Sequence, residues 1–195
     1  MAPPTLYQLG IDPYIRAFET FKAIFQKAKE HAGAEADSFV TTRLYADMYP
    51  LTYQIWVVYA MAASVCLEKL LLEIERPEVG DHKDLKTMDD LIACADKGLK
   101  LMRKIKPGDL EGVEDKIIEF SPRPPMDIVV TDAMGFALGW TTPNLYFHLT
   151  TAYALLRMKG VPLGKMDFWM PMLEPFVHSR HKYAKEEKEV KEVKK

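Results

Sequence analysis

Residues 55–67 are apolar on nearly every side of a helix, with Ser64 the one interruption. That run is too short for the ~20 residues needed to cross a bilayer, and Glu68 and Lys69 follow it at once. A helix apolar all round must instead be covered by neighbours on several sides, which makes it the central element of a helical bundle. Pro50 suits its first turn and Pro77 its end, so the pattern predicts a helix over 50–76. With 195 residues, 48% of them hydrophobic, the chain can bury one well-filled core around it.

Three further helices can supply the cover. Asp12 and Pro13 open the first, with helical structure able to begin as early as Thr5. Ile15, Phe18, Phe21, Phe25 and Ala28 then keep a three-and-four spacing until Gly33. Residues 34–45 read as a connector with one or two helical turns. Thr87 and Asp90 form a capping box with Asp in place of Glu or Gln. The stripe behind it, Met88, Leu91, Ile92, Ala95, Leu99, Met102 and Ile105, closes at Pro107 and Gly108. A short helical turn over 132–138 leads to the fourth long helix, which starts at Thr142 and Pro143 and ends at Gly160, Pro162 and Gly164. Between the third and fourth helices the period changes to two. Residues 116–120 and 126–130 read as short strands of a hairpin around Pro122, Pro124 and Pro125. The expected division is one domain over 1–177 and a charged tail over 178–195, where seven Lys or Arg stand against four Glu.

Formal net charge is -2, and with the basic excess confined to the tail the body is mildly acidic. Nucleic acid is excluded as a partner on that ground, since it needs a concentrated basic surface. Cys66 and Cys94 both sit in apolar helical patterns, where a thiol acts as a small hydrophobe, and neither belongs to a zinc-spaced cluster. The first residues lack a basic segment followed by an apolar run, and no apolar run is long enough for a span. A cytoplasmic protein with no membrane partner is therefore expected. Phosphate loops, dinucleotide fingerprints, nucleophile elbows and zinc-protease motifs are all missing from the sequence.

Polar chemistry concentrates on the fourth helix. Asn144, His148, Thr151 and Leu155 fall on one stripe of an otherwise apolar segment, so an amide, an imidazole and a hydroxyl point the same way and need partners. Three roles are open to His148: a core residue fixing helix register, a general acid or base, or a metal ligand. Asp47 can cap the second helix or orient His148 as a carboxylate orients a catalytic imidazole. Gln54 and Asn144 can pair helices or hold a substrate oxygen. Phe18, Phe21, Tyr53, Trp56 and Trp140 are the expected aromatic walls of a cavity between helices two and four.

Three separated blocks carry a family likeness: Leu44 through Gln54 (Leu-Tyr-Ala-Asp-Met-Tyr-Pro-Leu-Thr-Tyr-Gln), Pro143 through His148, and Gly160 through Phe168. In order and spacing the chain resembles the DUF1993 family from about Leu6 to Phe168. That resemblance implies an all-α fold, a DinB-like up-down-down-up four-helix bundle, here with a short β-hairpin insertion and a charged C-terminal tail. Many DinB-like proteins hold a divalent ion through one His of the second helix and two of the fourth at i and i+4. This chain offers Asn144 and His148 at that spacing and no His on the second helix, so no metal and no cofactor is expected.

The sequence therefore predicts a small-molecule pocket protein, leaning to a metal-independent enzyme of isomerase, lyase or cyclase type acting on a small hydrophobic metabolite. His148 and Asp47 are its catalytic candidates, and Gln54, Asn144, Thr151, Tyr53, Trp56 and Trp140 its substrate-binding ones. A non-catalytic ligand-binding or structural bundle is the alternative, followed by a DinB-like metal-dependent hydrolase or transferase. A homodimer is left open.

Overall fold

The computed structural model describes residues 3–66, 70, 74–75, 77–122 and 127–179, with residues 64–66 described by backbone alone. The expected helical stretch 67–73 therefore lies largely outside the described residues, as do Pro124, Pro125, Met126 and nearly all of the tail.

Four helices form the bundle: α1 (Asp12–Ala32), α2 (Leu51–Ala60), α3 (Met88–Met102) and α4 (Thr142–Met158). Asp12 does not cap α1, because the helix begins earlier. Thr5 and Gln8 form a reciprocal box, Thr5 N–H to Gln8 Oε1 at 2.9 Å and Gln8 N–H to Thr5 Oγ1 at 3.2 Å, and a wide π turn, Tyr7–Ile11, runs into α1. The expected box on α3 is present: Asp90 N–H donates to Thr87 Oγ1 at 3.1 Å and Thr87 N–H to Asp90 Oδ2 at 2.8 Å. Two more π turns extend α2 and α4. Met61–Cys66 continues α2, and Ala137–Thr141 joins the short helix Ala133–Phe136 to α4.

Side-chain pairs give the directions. Lys29 with Asp89, Lys22 with Asp96 and Arg103 with Glu19 set α1 antiparallel to α3. The starts of α1 and α4 meet where Thr142 Oγ1 donates to Leu9 O at 3.3 Å, so these two run parallel. Gln54 meets His148, and Val57 and Met61, later on α2 and its extension, share a cleft with Asn144 and Trp140, earlier on α4 and its lead-in, so α2 runs antiparallel to α4. Packing runs α1 to α3 to α2 to α4 and back to α1. The result is the up-down-down-up bundle, with α1 diagonal to α2, α3 diagonal to α4, and the consecutive pair α2 and α3 side by side.

Tyr14, Phe18, Phe21 and Phe25 of α1 are fully buried, together with Leu51, Ile55 and Val58 of α2 and Leu145, Leu149 and Leu155 of α4. Each such side chain contributes about 1.5–3 kcal/mol by leaving water, before conformational entropy is charged against it. At Gly98 a side chain would run into the Phe18 ring, so α1 and α3 approach closely there. A fifth helix, α5 (Lys165–Leu173), lies on α1, fixed by Lys27 Nζ to Asp167 at 2.9 Å.

The hairpin pairs β1 (Ile117–Phe120) with β2 (Val129–Asp132) antiparallel, with Ile117 opposite Asp132 and Phe120 opposite Val129. The second strand begins later and ends later than its apolar run predicts. Among the described residues no helix is long and apolar enough to cross a membrane.

Candidate functional site

Helical spacing brings two stripes face to face. Tyr53, Val57 and Met61 follow each other at steps of four on α2 and its extension, and Phe136, Trp140, Asn144 and His148 do the same on α4 and its lead-in. Between them lies a cleft of about 410 Å³, closed on a third side by Phe120, Ser121 and Pro122 of the hairpin. That volume is in the range of small-molecule sites.

One imidazole is held at its floor by a chain of hydrogen bonds. Gln54, 2% exposed, turns its amide nitrogen to two backbone carbonyls, Tyr49 O at 3.0 Å and Pro50 O at 3.3 Å. Both amide hydrogens are thereby committed, so Oε1 is the atom presented to His148 Nδ1 at 2.8 Å. An acceptor there requires a hydrogen on Nδ1. The neutral imidazole is fixed as the Nδ1–H tautomer, with the lone pair on Nε2, which has no partner among the described residues. Burial pushes the His148 pKa down to about 4, and the amide of Gln54 supplies no counter-charge to resist it.

Asn144 is turned similarly. Its Nδ2 donates to Trp140 O at 2.8 Å, one turn back, which leaves Oδ1 as an acceptor bordering the cleft. Tyr53 stacks on Tyr49 at 3.9 Å between ring centroids and meets His148 at 6.0 Å. Opposite, the Phe120 ring lies 5.2 Å from Trp140 and 4.9 Å from Phe136.

The structure thus brings together His148, Gln54, Asn144, Tyr53 and Trp140. It does not bring in Asp47, which is exposed on the connector before α2, where Gln54 takes the place at His148 that the sequence reading gave to a carboxylate. Trp56 donates Nε1–H to Gly80 O at 3.0 Å and packs on His82, outside the cleft. Thr151 donates to Phe147 O at 2.7 Å and borders a different, outer groove with Leu44 and Tyr146. Phe18 and Phe21 belong to the buried core. The sequence reading missed Phe136, which the step of four from Trp140 could have flagged. It also missed His82, whose ring stands 5.2 Å from Tyr53, edge-on; its loop carries no periodic signal.

A transition-metal ion between α2 and α4 would need three converging donors. His148 Nε2 and Asn144 Oδ1 offer two from α4, one of them a weak amide oxygen, while α2 faces them with Tyr53, Val57 and Met61. Nowhere among the described residues do three His, Cys, Asp or Glu converge. The donor set does not fit the ion.

Comparison with known families is decided by one match. The sequence profile described as a domain of unknown function, DUF1993, matches residues 6–169. The chain belongs to the DUF1993 family. The match takes in every described residue of the cleft and stops within α5. A solved structure, the crystal structure of a DinB family member protein from Shewanella denitrificans, is similar at 29% identity with a TM-score of 0.70. The alignment covers 84% of this chain and 90% of that chain. DUF1993 here therefore has a DinB-like fold. No curated protein matches the chain.

Proposed function

We propose that the cleft binds a small, largely apolar molecule that offers an N–H or O–H donor to His148 Nε2. The observation that carries this reading is the tautomer lock. Tyr49 and Pro50 carbonyls orient Gln54, Gln54 orients His148, and the remaining lone pair borders a cleft walled by Tyr53, Phe136 and Trp140. With its pKa near 4 the imidazole stays an acceptor at neutral pH, so a donor is favoured over a carboxylate, whose lone pairs would oppose Nε2 and Asn144 Oδ1.

The same lone pair favours a second reading, proton transfer without a metal, in a reaction of isomerase, lyase or cyclase type. His148 would accept the proton, and Asn144 Oδ1 would hold a donor on the substrate. Gln54 in the place of a carboxylate weakens that base, because nothing compensates an imidazolium. Measured by thermal shift, donor-bearing aromatic compounds should raise Tm for the wild type and much less for His148→Leu. Equal shifts in both proteins would refute the binding reading. For any compound that is turned over, loss of His148 should cut kcat by ~10²–10⁴ if it is the base, and leave kcat unchanged if it only binds.

A further inference from the structure

The cleft has a neighbour. A second cavity, about 280 Å³, lies under the hairpin and is lined by Val129, Thr131, Gly135 and Gly139. It shares Phe120, Pro122, Phe136 and Trp140 with the first, so these four side chains form the boundary between the two spaces. Resting on the reading of the cleft as a small-molecule site, we infer that the two cavities are one bipartite site for an amphipathic ligand. A donor-bearing aromatic head lies at His148 and Asn144, and an alkyl tail passes the Phe120–Trp140 boundary into the chamber beneath the hairpin.

Three observations support the assignment. Among the described residues the cleft presents two unpartnered acceptors, His148 Nε2 and Asn144 Oδ1, whereas the far chamber offers a single side-chain hydroxyl, that of Thr131, with the Trp140 indole at the boundary. The far chamber is built from strand and helix backbone with small or apolar side chains, which suits a tail and offers little to a polar group. Gly139, where an added Cβ would meet no atom within 4 Å, is exposed, so the far chamber is open to solvent on that side and the end of a longer tail has an exit there. From His148 to Trp140 is eight residues, about 12 Å along a helix, so a single ring anchored at His148 falls short of the boundary and a tail of several carbons is needed to cross it.

The experiment is calorimetric titration of para-ethyl-, para-butyl-, para-hexyl- and para-octylphenol into the wild type, Gly139→Leu and Val129→Trp. Both substitutions add bulk at exposed lining positions of the far chamber, one on its helix side and one on its strand side, and circular dichroism melts verify that each is folded. In the wild type, affinity should rise by up to about fourfold for each carbon added beyond butyl, the increment for a buried methylene. In the two variants that gain should vanish while ethylphenol binds as it does to wild type. Undiminished gains in both variants, with ethylphenol binding throughout, would overturn the bipartite site alone. A wild type that binds no member of the series would overturn the cleft reading and this inference with it.

Discussion

Replacing His148 with Gln should change how stability depends on pH more than it changes stability itself. Folded, the imidazole is buried and its pKa lies near 4; unfolded, it protonates near 6.5. Between those values the unfolded chain binds a proton that the folded protein refuses, so unfolding is favoured progressively as pH falls from about 6.5 to about 4. Above that window the effect is absent, and below it the loss is complete. A gap of about 2.5 pKa units corresponds to about 3 kcal/mol. Carboxylates add a loss of their own, which begins only at the acid end of this window and continues below it. Asp90 and Asp167 are held below the usual carboxylate value by hydrogen bonds, and Asp167 by Lys27 as well, so they too lose stability in acid. Those losses are common to both proteins and cancel in the difference. Gln at position 148 retains an N–H for Gln54 Oε1 but does not titrate. Urea unfolding followed by tryptophan fluorescence, at about pH 7 and about pH 4, gives the two free energies for each protein. The wild type should lose about 3 kcal/mol more than the variant on acidification. Parallel losses would mean that His148 is not held neutral, and the tautomer argument would fail with it.

Cys94 is 5% exposed, and burial pushes its thiol up to about 12, so it is unreactive while the protein is folded. Iodoacetamide at about pH 8 should leave Cys94 unmodified in the native protein and label it in concentrated urea, as read by peptide mass mapping; equal labelling would contradict the buried assignment. Gly98→Ala should destabilise by ~1–3 kcal/mol in thermal melts, although alanine is the better helix former by about 1 kcal/mol, because the new methyl meets the Phe18 ring. A stabilised variant would show that α1 and α3 can separate at little cost.

Where the sequence was legible, a local rule and the tertiary fold agreed. Thr87 and Asp90 cap α3 as their spacing predicts, Pro50 stands immediately before α2, and Phe18, Phe21 and Phe25 are core because their period is helical. The cleft between α2 and α4 followed from the same periodicity. What faces His148 across that gap did not. Asp47 and Gln54 lie seven positions apart, and only the turn of the connector, which sends Asp47 outward, decides between them. Burial also favours the amide, since a carboxylate there would carry an added desolvation cost. Thr151 shares a stripe with His148 on paper, but bonding to Phe147 O turns it away from the cleft. The second strand was misplaced because register is set by the partner strand, which pairs Phe120 with Val129, and not by where the apolar run begins.

The π turn at Ala137–Thr141 bears on which changes of chain length this helix can accept. An i to i+5 turn holds about one residue more than an α turn, so the segment carries one residue of slack. Removing a residue from an α-helix rotates everything on one side by about 100° against the other, and here that would swing Phe136 and the hairpin off the cleft. Within 137–141 a deletion can be absorbed by tightening the turn to α geometry, so the helix on either side keeps its face. Single-residue deletions walked along 133–158 should therefore be tolerated at this turn and disruptive elsewhere. The wide turn is where the hairpin side of the site can vary in length while Asn144 and His148 stay in register.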